Sequence, residues 1–331
     1  MKNPITVEEL QALLNDESTV AEAMDFYFEY IPTGPFTGEY QLKSHIQIVK
    51  NYNYQTTGVV ESASLFNIKE IILNDANSRA RKSRDKIFSR RGSDGDRKIL
   101  VTEGDSWFQY PKYKKMGLTL SKEVKDVIDY LIEEPDYNVK SLDAAGDMIR
   151  NMFHLSEYLE AIREHNPKAF ILSGGGNDFF EVFPNMLTEG SADSMESYLK
   201  ISWTTEIKVI ETYYKGFLDI LTEEFPALPV ILHGYDYIMP RPDGKWIGKP
   251  MITKGKLNMD KDRKVLIKLV MDRFNQTLLD LSLLYENVHF IDLRNTVPQD
   301  ASFWHDEIHP NDEGFKLVAD KFIATLKSIG V

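Results

Sequence analysis

The sequence contains no cysteine. Disulfides, a thiolate nucleophile and a cysteine-held metal are therefore excluded, and the redox compartment leaves no mark on the chain. Long apolar runs are missing as well: nowhere do about 18 uncharged apolar residues follow one another, the length that spans a bilayer. The opening stretch MKNPITVEELQALLNDE is acidic and lacks the apolar segment of a signal peptide, so a cytoplasmic protein is expected, with signal-independent export left open. Positive charge is in deficit, 39 Lys and Arg against 51 Asp and Glu for a net charge of −12. Wholesale binding to nucleic acid or to an anionic membrane is disfavoured by that balance, and neutral or small partners are expected. None of the seven histidines stands in a His-Glu-x-x-His pattern or another compact ligand cluster, so neither a metal nor an organic cofactor is called for. Internal repeats and low-complexity tracts are also lacking.

What the chain does have is enough apolar material for a core: 42% of its 331 residues, with 11% aromatic. That suits one large domain, or a domain plus an extension. Residues 1–95 read as a mainly helical extension. Thr6 is placed as an N-cap ahead of Leu10, Leu13 and Leu14, the prolines and glycines between Ile31 and Gly38 predict a loop, and a second helix is predicted over Ala63 to Phe88. The end of that helix carries nine basic residues between Arg79 and Lys98 against three acidic ones. A solvated helix end and linker is the plain reading, and docking to an acidic partner is the alternative. Gly92, Ser93, Asp94 and Gly95 mark a boundary, with a second domain over residues 96–331.

In that domain short apolar runs alternate with helical patterns, which predicts a parallel sheet covered on both faces, an α/β/α sandwich. Five strands are expected, at Ile99 to Thr102, Asn138 to Leu142, Ala169 to Leu172, Pro229 to Leu232 and Val288 to Leu293. Helices are expected over Ser121 to Ile132, Asp147 to His165, Ser194 to Phe225 and Asp260 to Tyr285, with Asn311 capping a last one that runs through Leu326. The connection from Tyr237 to Met259 is long for a structureless loop, and such loops are usually lids or binding elements.

Ser106 sits just past the first of these strands, in KILVTEGDSWFQY, at the sheet edge where open α/β folds bind ligands. A serine there is a nucleophile only if a base, an orienting acid and an oxyanion site converge on it. Near the C-terminus, Asp306-Glu307-Ile308-His309-Pro310 spaces an acid and an imidazole so that Asp306 can hold one ring nitrogen of His309 and leave the other free as a base. His305 should point elsewhere. The third strand runs into Ser173-Gly174-Gly175-Gly176-Asn177-Asp178, where the amide of Asn177 can donate to an oxyanion, and the backbone N–H groups of Gly146 and of Ser106 itself are further donors. Asp105 and Asp178 read as turn and cap residues. Of the aromatics around these blocks, Trp107, Phe179 and Trp304 are candidates for the wall of a substrate pocket, and about half of the set should be core.

These blocks, Gly104-Asp105-Ser106 with a following aromatic, a glycine after the second strand, Gly175-x-Asn177-Asp178, and Asp306-x-x-His309-Pro310, resemble those of the SGNH hydrolases, also called GDSL esterases or lipases. All four occur in family order across roughly residues 98–331. The resemblance implies a flavodoxin-like α/β/α sandwich and ester hydrolysis by Ser106, with His309 as base, Asp306 as its orienter, and Gly146 and Asn177 completing the oxyanion hole. It says nothing of residues 1–95. Small esters, acylated glycans and acyl lipids all remain as substrates. The second reading is a sandwich that has lost turnover and holds a carbohydrate or lipid while residues 1–95 dock to a partner.

Overall fold

The computed structural model describes residues 3–6, 9, 13, 26–32, 38–43, 46–49, 63–92, 96–111, 124–191 and 193–331. The chain divides into two compact units: Met1–Ala80 with Pro111–Glu123, and Arg81–Tyr110 with Val124–Val331. In the first unit, β1 (Asn3–Thr6) pairs in parallel with β4 (Ile46–Val49), and β2 (Phe28–Pro32) pairs antiparallel with β3 (Gly38–Leu42). Thr6 therefore ends a strand, opposite Val49, where the sequence suggested a helix cap. Ile31, Pro32 and Gly38 belong to strands rather than to the expected loop. Leu13 is helical, whereas Leu10 and Leu14 lie outside the described residues, as do Ser93 to Gly95 and Ser121. Helix α1 (Ala63–Gly92) runs four residues beyond its predicted end at Phe88.

The second unit is built on five parallel strands, β5 (Lys98–Glu103), β6 (Tyr137–Ser141), β7 (Ala169–Leu172), β8 (Val230–His233) and β9 (Val288–Ile291). Their spatial order is β6-β5-β7-β8-β9. Leu100 of β5 stands opposite Val139 on one side and Ala169 on the other. Every residue of β7 is fully buried, as are Leu100, Val101, Val230, Ile231 and Leu232, which is why these strands read as unbroken apolar runs and not as alternating ones. The helices are α2 (Val127–Glu133), α3 (Ile149–Leu155), α4 (Glu157–His165), α5 (Gly176–Met186), α6 (Ser202–Glu224), α7 (Gly248–Thr253), α8 (Asp260–Ser282) and α9 (Asp312–Ser328). Helix α2 packs on α9, while α3, α5 and α8 pack around α6, so the sheet is flanked by helices in the α/β manner expected. The helix predicted from Asp147 to His165 is broken by Ser156, whose left-handed backbone (φ 55°) ends α3 and starts α4. Asn311 caps α9 through the N–H groups of Glu313 and Gly314, as its position suggested.

The basic end of α1 is only in part a solvated face: Lys82, Lys86 and Arg90 are exposed, whereas Arg84 is buried. Arg84 is 4% exposed and its guanidinium donates to both oxygens of Asp126, to Asp129, to the Ser141 hydroxyl and to the carbonyl of Phe108. Arg81 donates to the carbonyl of Leu142 and Arg91 to those of Ile132 and Tyr137, while Lys140 pairs with Asp85 at 2.6 Å. These partners include carbonyls at both ends of β6 and a carboxylate that also starts α2, so the charges of Arg81, Arg84 and Arg91 serve acceptors of the sheet unit. Removing one partner of such a buried pair leaves the other charged and unsatisfied. Arg84→Ala is expected to lower unfolding stability by about 3–5 kcal/mol, read as a fall in the urea midpoint, with Lys86→Ala on the exposed face of the same helix as the near-neutral control.

Candidate functional site

The strand order turns back between β5 and β7, and a crevice at the carboxyl ends of strands flanking such a point is the natural ligand site of an open sheet. Ser106 stands there on the turn after β5. Asp105 builds that turn: its carbonyl accepts the N–H groups of Phe108 and Gln109, and its carboxylate accepts that of Trp107 at 3.0 Å. The turn needs glycine at 104 for want of space, because a Cβ there would fall 2.5 Å from the ring of Phe108. Asp105 thus has the turn role expected of it.

The second participant arrives on the loop before α9. A bridge between Trp304 and Pro310 closes this loop, and the N–H of His305 donates to the carbonyl of His309 at 2.9 Å. Inside it, Asp306 Oδ1 accepts the N–H groups of Ile308 and His309 at 2.9 and 2.8 Å, and Oδ2 accepts His309 Nδ1–H at 2.8 Å. The three-residue spacing is therefore used in a bridged loop. With Nδ1 protonated, His309 Nε2 is the acceptor, and it lies 2.7 Å from Ser106 Oγ. Burial alone would raise the pKa of Asp306, but the imidazole beside it and its N–H donors outweigh that and bring it down to about 2. His305 turns away, its ring packed on Tyr110 at 5.1 Å.

Two more loops meet the nucleophile turn. Ala144 N–H donates to the carbonyl of Gly104 at 2.8 Å, which sets the turn holding Gly146 (φ 81°) beside that of Ser106. Gly175 (φ 87°) precedes α5 in a conformation only glycine adopts without strain, and a Cβ there would also meet Ile210 at 2.7 Å. Asn177, in the first turn of α5, donates one amide hydrogen to the carbonyl of Asp147 at 2.8 Å, which joins the two loops that carry the candidate oxyanion donors. Asp178 caps the neighbouring helix α3, accepting Ile149 N–H at 2.8 Å, and burial pushes its pKa up to about 6.

The family model for the GDSL-like Lipase/Acylhydrolase family matches residues 125–317, more than half of the chain. The chain belongs to that family. It is accordingly a hydrolase acting on esters. The matched stretch holds Gly146, Asn177, Asp306 and His309 but begins after Ser106, which the hydrogen bond to His309 brings to the same place. No curated protein matches the chain. Among solved structures, it is similar to an extracellular lipase from Streptomyces rimosus at 12% identity, covering 69% of this chain and 99% of that one with a TM-score of 0.46. It is similar to the acetyl xylan esterase AlAXEase at 18% identity, 69% and 99% coverage and a TM-score of 0.42. A third, the esterase EstA from Pseudoalteromonas sp., has 12% identity, 70% and 97% coverage and a TM-score of 0.43.

Three aromatics suggested as pocket wall turn out to be packed inside this family member. Trp107, Phe179 and Trp304 are 3%, 2% and 3% exposed. Trp107 donates its indole N–H to the carbonyl of Ile308 at 3.1 Å, tying the nucleophile turn to the histidine loop, and Trp304 donates to Pro298 at 2.9 Å. Phe179 packs against Phe180 and Phe183. The rings beside the imidazole are instead the half-buried Tyr110 and Trp246, with centroids 5.2 and 6.2 Å from that of His309.

The connection from Tyr237 to Met259 contains α7 and is strapped to the histidine loop. Met239 N–H donates to Glu307 O, Arg241 donates to the carbonyls of Trp304 and His305, and the buried carboxylate of Glu307 accepts the N–H groups of Trp246, Ile247 and Gly248. Glu307 was passed over in the sequence although it lies inside the Asp-x-x-His block; an acid between two residues already given roles was the available signal. Among the described residues no group of three or more His, Asp or Glu could hold a metal ion, and no helix is long and apolar enough to cross a membrane.

Because the pKa of Asp306 is lower in the folded than in the unfolded chain, its carboxylate stabilises the fold above the ordinary Asp pKa near 3.8, and that contribution is lost as pH falls through about 2. Asp306→Asn is expected to cost about 2 kcal/mol of unfolding stability at pH 7, with the difference from wild type narrowing below pH 4, measured by denaturant titration across pH.

Proposed function

We propose that the chain cleaves carboxylic esters through an acyl-enzyme on Ser106. His309 Nε2 takes the Ser106 hydroxyl proton, the oxygen attacks the ester carbonyl, and the tetrahedral oxyanion is held by the N–H groups of Ser106 and Gly146 and the amide of Asn177. His309 then returns the proton to the leaving alcohol, and a water activated by the same nitrogen releases the acid. Asp306 keeps the proton on Nδ1 and stabilises the imidazolium without taking that proton. The observation that carries this reading is the 2.7 Å hydrogen bond between His309 and Ser106, with Asp306 on the opposite ring nitrogen at 2.8 Å. Since the leaving alcohol receives its proton from Nε2, it departs on the imidazole side, where the rings of Tyr110 and Trp246 stand beside His309 and would flank the alcohol part of an acylated glycan or a small ester.

Ser106→Ala should lose about 10⁴-fold or more in kcat toward a short nitrophenyl ester, and Asp306→Asn about 10⁴-fold. Parent-rate cleavage by Ser106→Ala would end the reading. Failure of the wild-type protein to label with a fluorophosphonate would favour a sandwich that binds without turnover.

A further inference from the structure

We propose that the hydroxyl of Tyr235 is a positioning group that locks the nucleophile turn to the helix carrying the oxyanion amide, so that Ser106 and Asn177 hold a fixed separation. This deepens the serine-hydrolase reading and rests on it. Tyr235 lies two residues past β8, 4% exposed, and no sequence motif marks it. Its O–H donates to Asp105 Oδ2, on the residue before the nucleophile. The same oxygen accepts the N–H of Gly176 at 3.3 Å, on the residue before Asn177. One atom therefore bridges the two loops whose spacing an oxyanion site depends on.

The contact has a structural reason on each side. Helix α5 starts at Gly176, whose N–H is one of the four at a helix start that have no intrahelical acceptor, and Gly175 before it has no side chain to cap any of them. Tyr235 supplies an acceptor for the Gly176 N–H from the loop after β8. Asp105 is 2% exposed, and its Oδ1 already accepts Trp107 N–H and, at 3.1 Å, the hydroxyl of Ser173. Oδ2 is satisfied by Tyr235. Without that donor a buried carboxylate oxygen would be left bare beside the reacting serine. The ring cannot drift: it packs edge-on against Trp107 at 5.1 Å and tilted on Phe274 at 5.6 Å, and the Tyr235 carbonyl accepts Asn275 Nδ2–H at 2.9 Å. A Cβ on Gly176 would lie 3.0 Å from Tyr235 Cζ, so any larger residue at 176 would press on the phenol ring. Burial and the neighbouring carboxylate hold the phenol well above its ordinary pKa, which keeps it a donor throughout the working range.

The test is a cycle of Tyr235→Phe, Asn177→Ala and the double variant in the full chain, with p-nitrophenyl acetate as substrate and each fold checked by its thermal midpoint. Tyr235→Phe is expected to lower kcat about tenfold with KM within about twofold of wild type. In the Asn177→Ala background the same substitution should cost less than about twofold, because the group it positions is gone. A loss confined to KM, an unchanged kcat, or an equal tenfold loss in both backgrounds would overturn the coupling. Should Tyr235→Phe fail to fold, Ser173→Ala, which removes the other side-chain donor tying this loop to Asp105, takes its place in the cycle with the same expectation. Wild-type kcat in Tyr235→Phe alongside an inactive Ser106→Ala would sink the coupling alone, whereas an active Ser106→Ala would sink the underlying reading.

Discussion

The loops above the carboxyl edge of the sheet are held by carboxylates that accept backbone N–H groups. A loop has no ladder to pair with, so each amide it buries needs an acceptor from elsewhere. Asp105 takes the N–H of Trp107, Asp178 that of Ile149, Asp236 those of Asn295, Thr296 and Val297, Asp306 those of Ile308 and His309, and Glu307 those of Trp246, Ile247 and Gly248. Charge-assisted bonds of this kind are about twice as strong as neutral ones, which offsets part of the desolvation each carboxylate suffers. The balance differs from site to site. Burial outweighs the donors at Asp178, Asp236 and Glu307 and their pKa values rise, whereas Asp306 also faces an imidazole and its pKa falls.

This scaffold is what lets residues far apart in sequence meet within hydrogen-bond range. Ser106 and His309 are 203 positions apart, and closing so long a loop costs conformational entropy that the contact itself could not repay. The cost is met by the sheet and by stitches between the two loops, above all the indole of Trp107 on the carbonyl of Ile308. Catalysis by a serine of ordinary acidity requires its base in place before substrate arrives, and rigid loops on a buried sheet supply that preorganisation. The strap formed by residues 237–259 is held in the same way, through Glu307, so it forms part of the wall beside His309.

The sheet was legible because parallel strands buried on both faces reduce to short apolar runs, and all five lie within two residues of where the pattern put them. The blocks around Ser106, Asn177 and His309 were legible because each works through neighbours in sequence: a turn, a helix start, a three-residue spacing. Tyr235 and Arg84 were not, since their partners lie 130 and 42 positions away and nothing local marks them, and Glu307 was marked only by its place inside the Asp-x-x-His block, its partners lying about 60 positions away. Arg84 was hidden further by its setting, because a run of basic residues on a helix reads as a solvated face until the acids it meets are known. Aromatics beside a catalytic motif misled in the opposite direction: Trp107, Phe179 and Trp304 are large enough to wall a pocket, yet all three serve as packing, and the two tryptophans also donate to loop carbonyls. The break at Ser156 left no trace in the apolar spacing, since α3 and α4 each keep a helical period on their own side of it.

The central claim is that these held loops bring one hydroxyl, one imidazole and a set of N–H donors to a single point. A crystal structure of the protein after reaction with a small fluorophosphonate tests it most directly, because the adduct mimics the tetrahedral intermediate. The account predicts phosphorus bonded to Ser106 Oγ, with the phosphoryl oxygen within hydrogen-bond distance of the Ser106 and Gly146 N–H groups and of Asn177 Nδ2. An adduct on another residue, or one on Ser106 whose phosphoryl oxygen points away from Gly146 and Asn177, would contradict it.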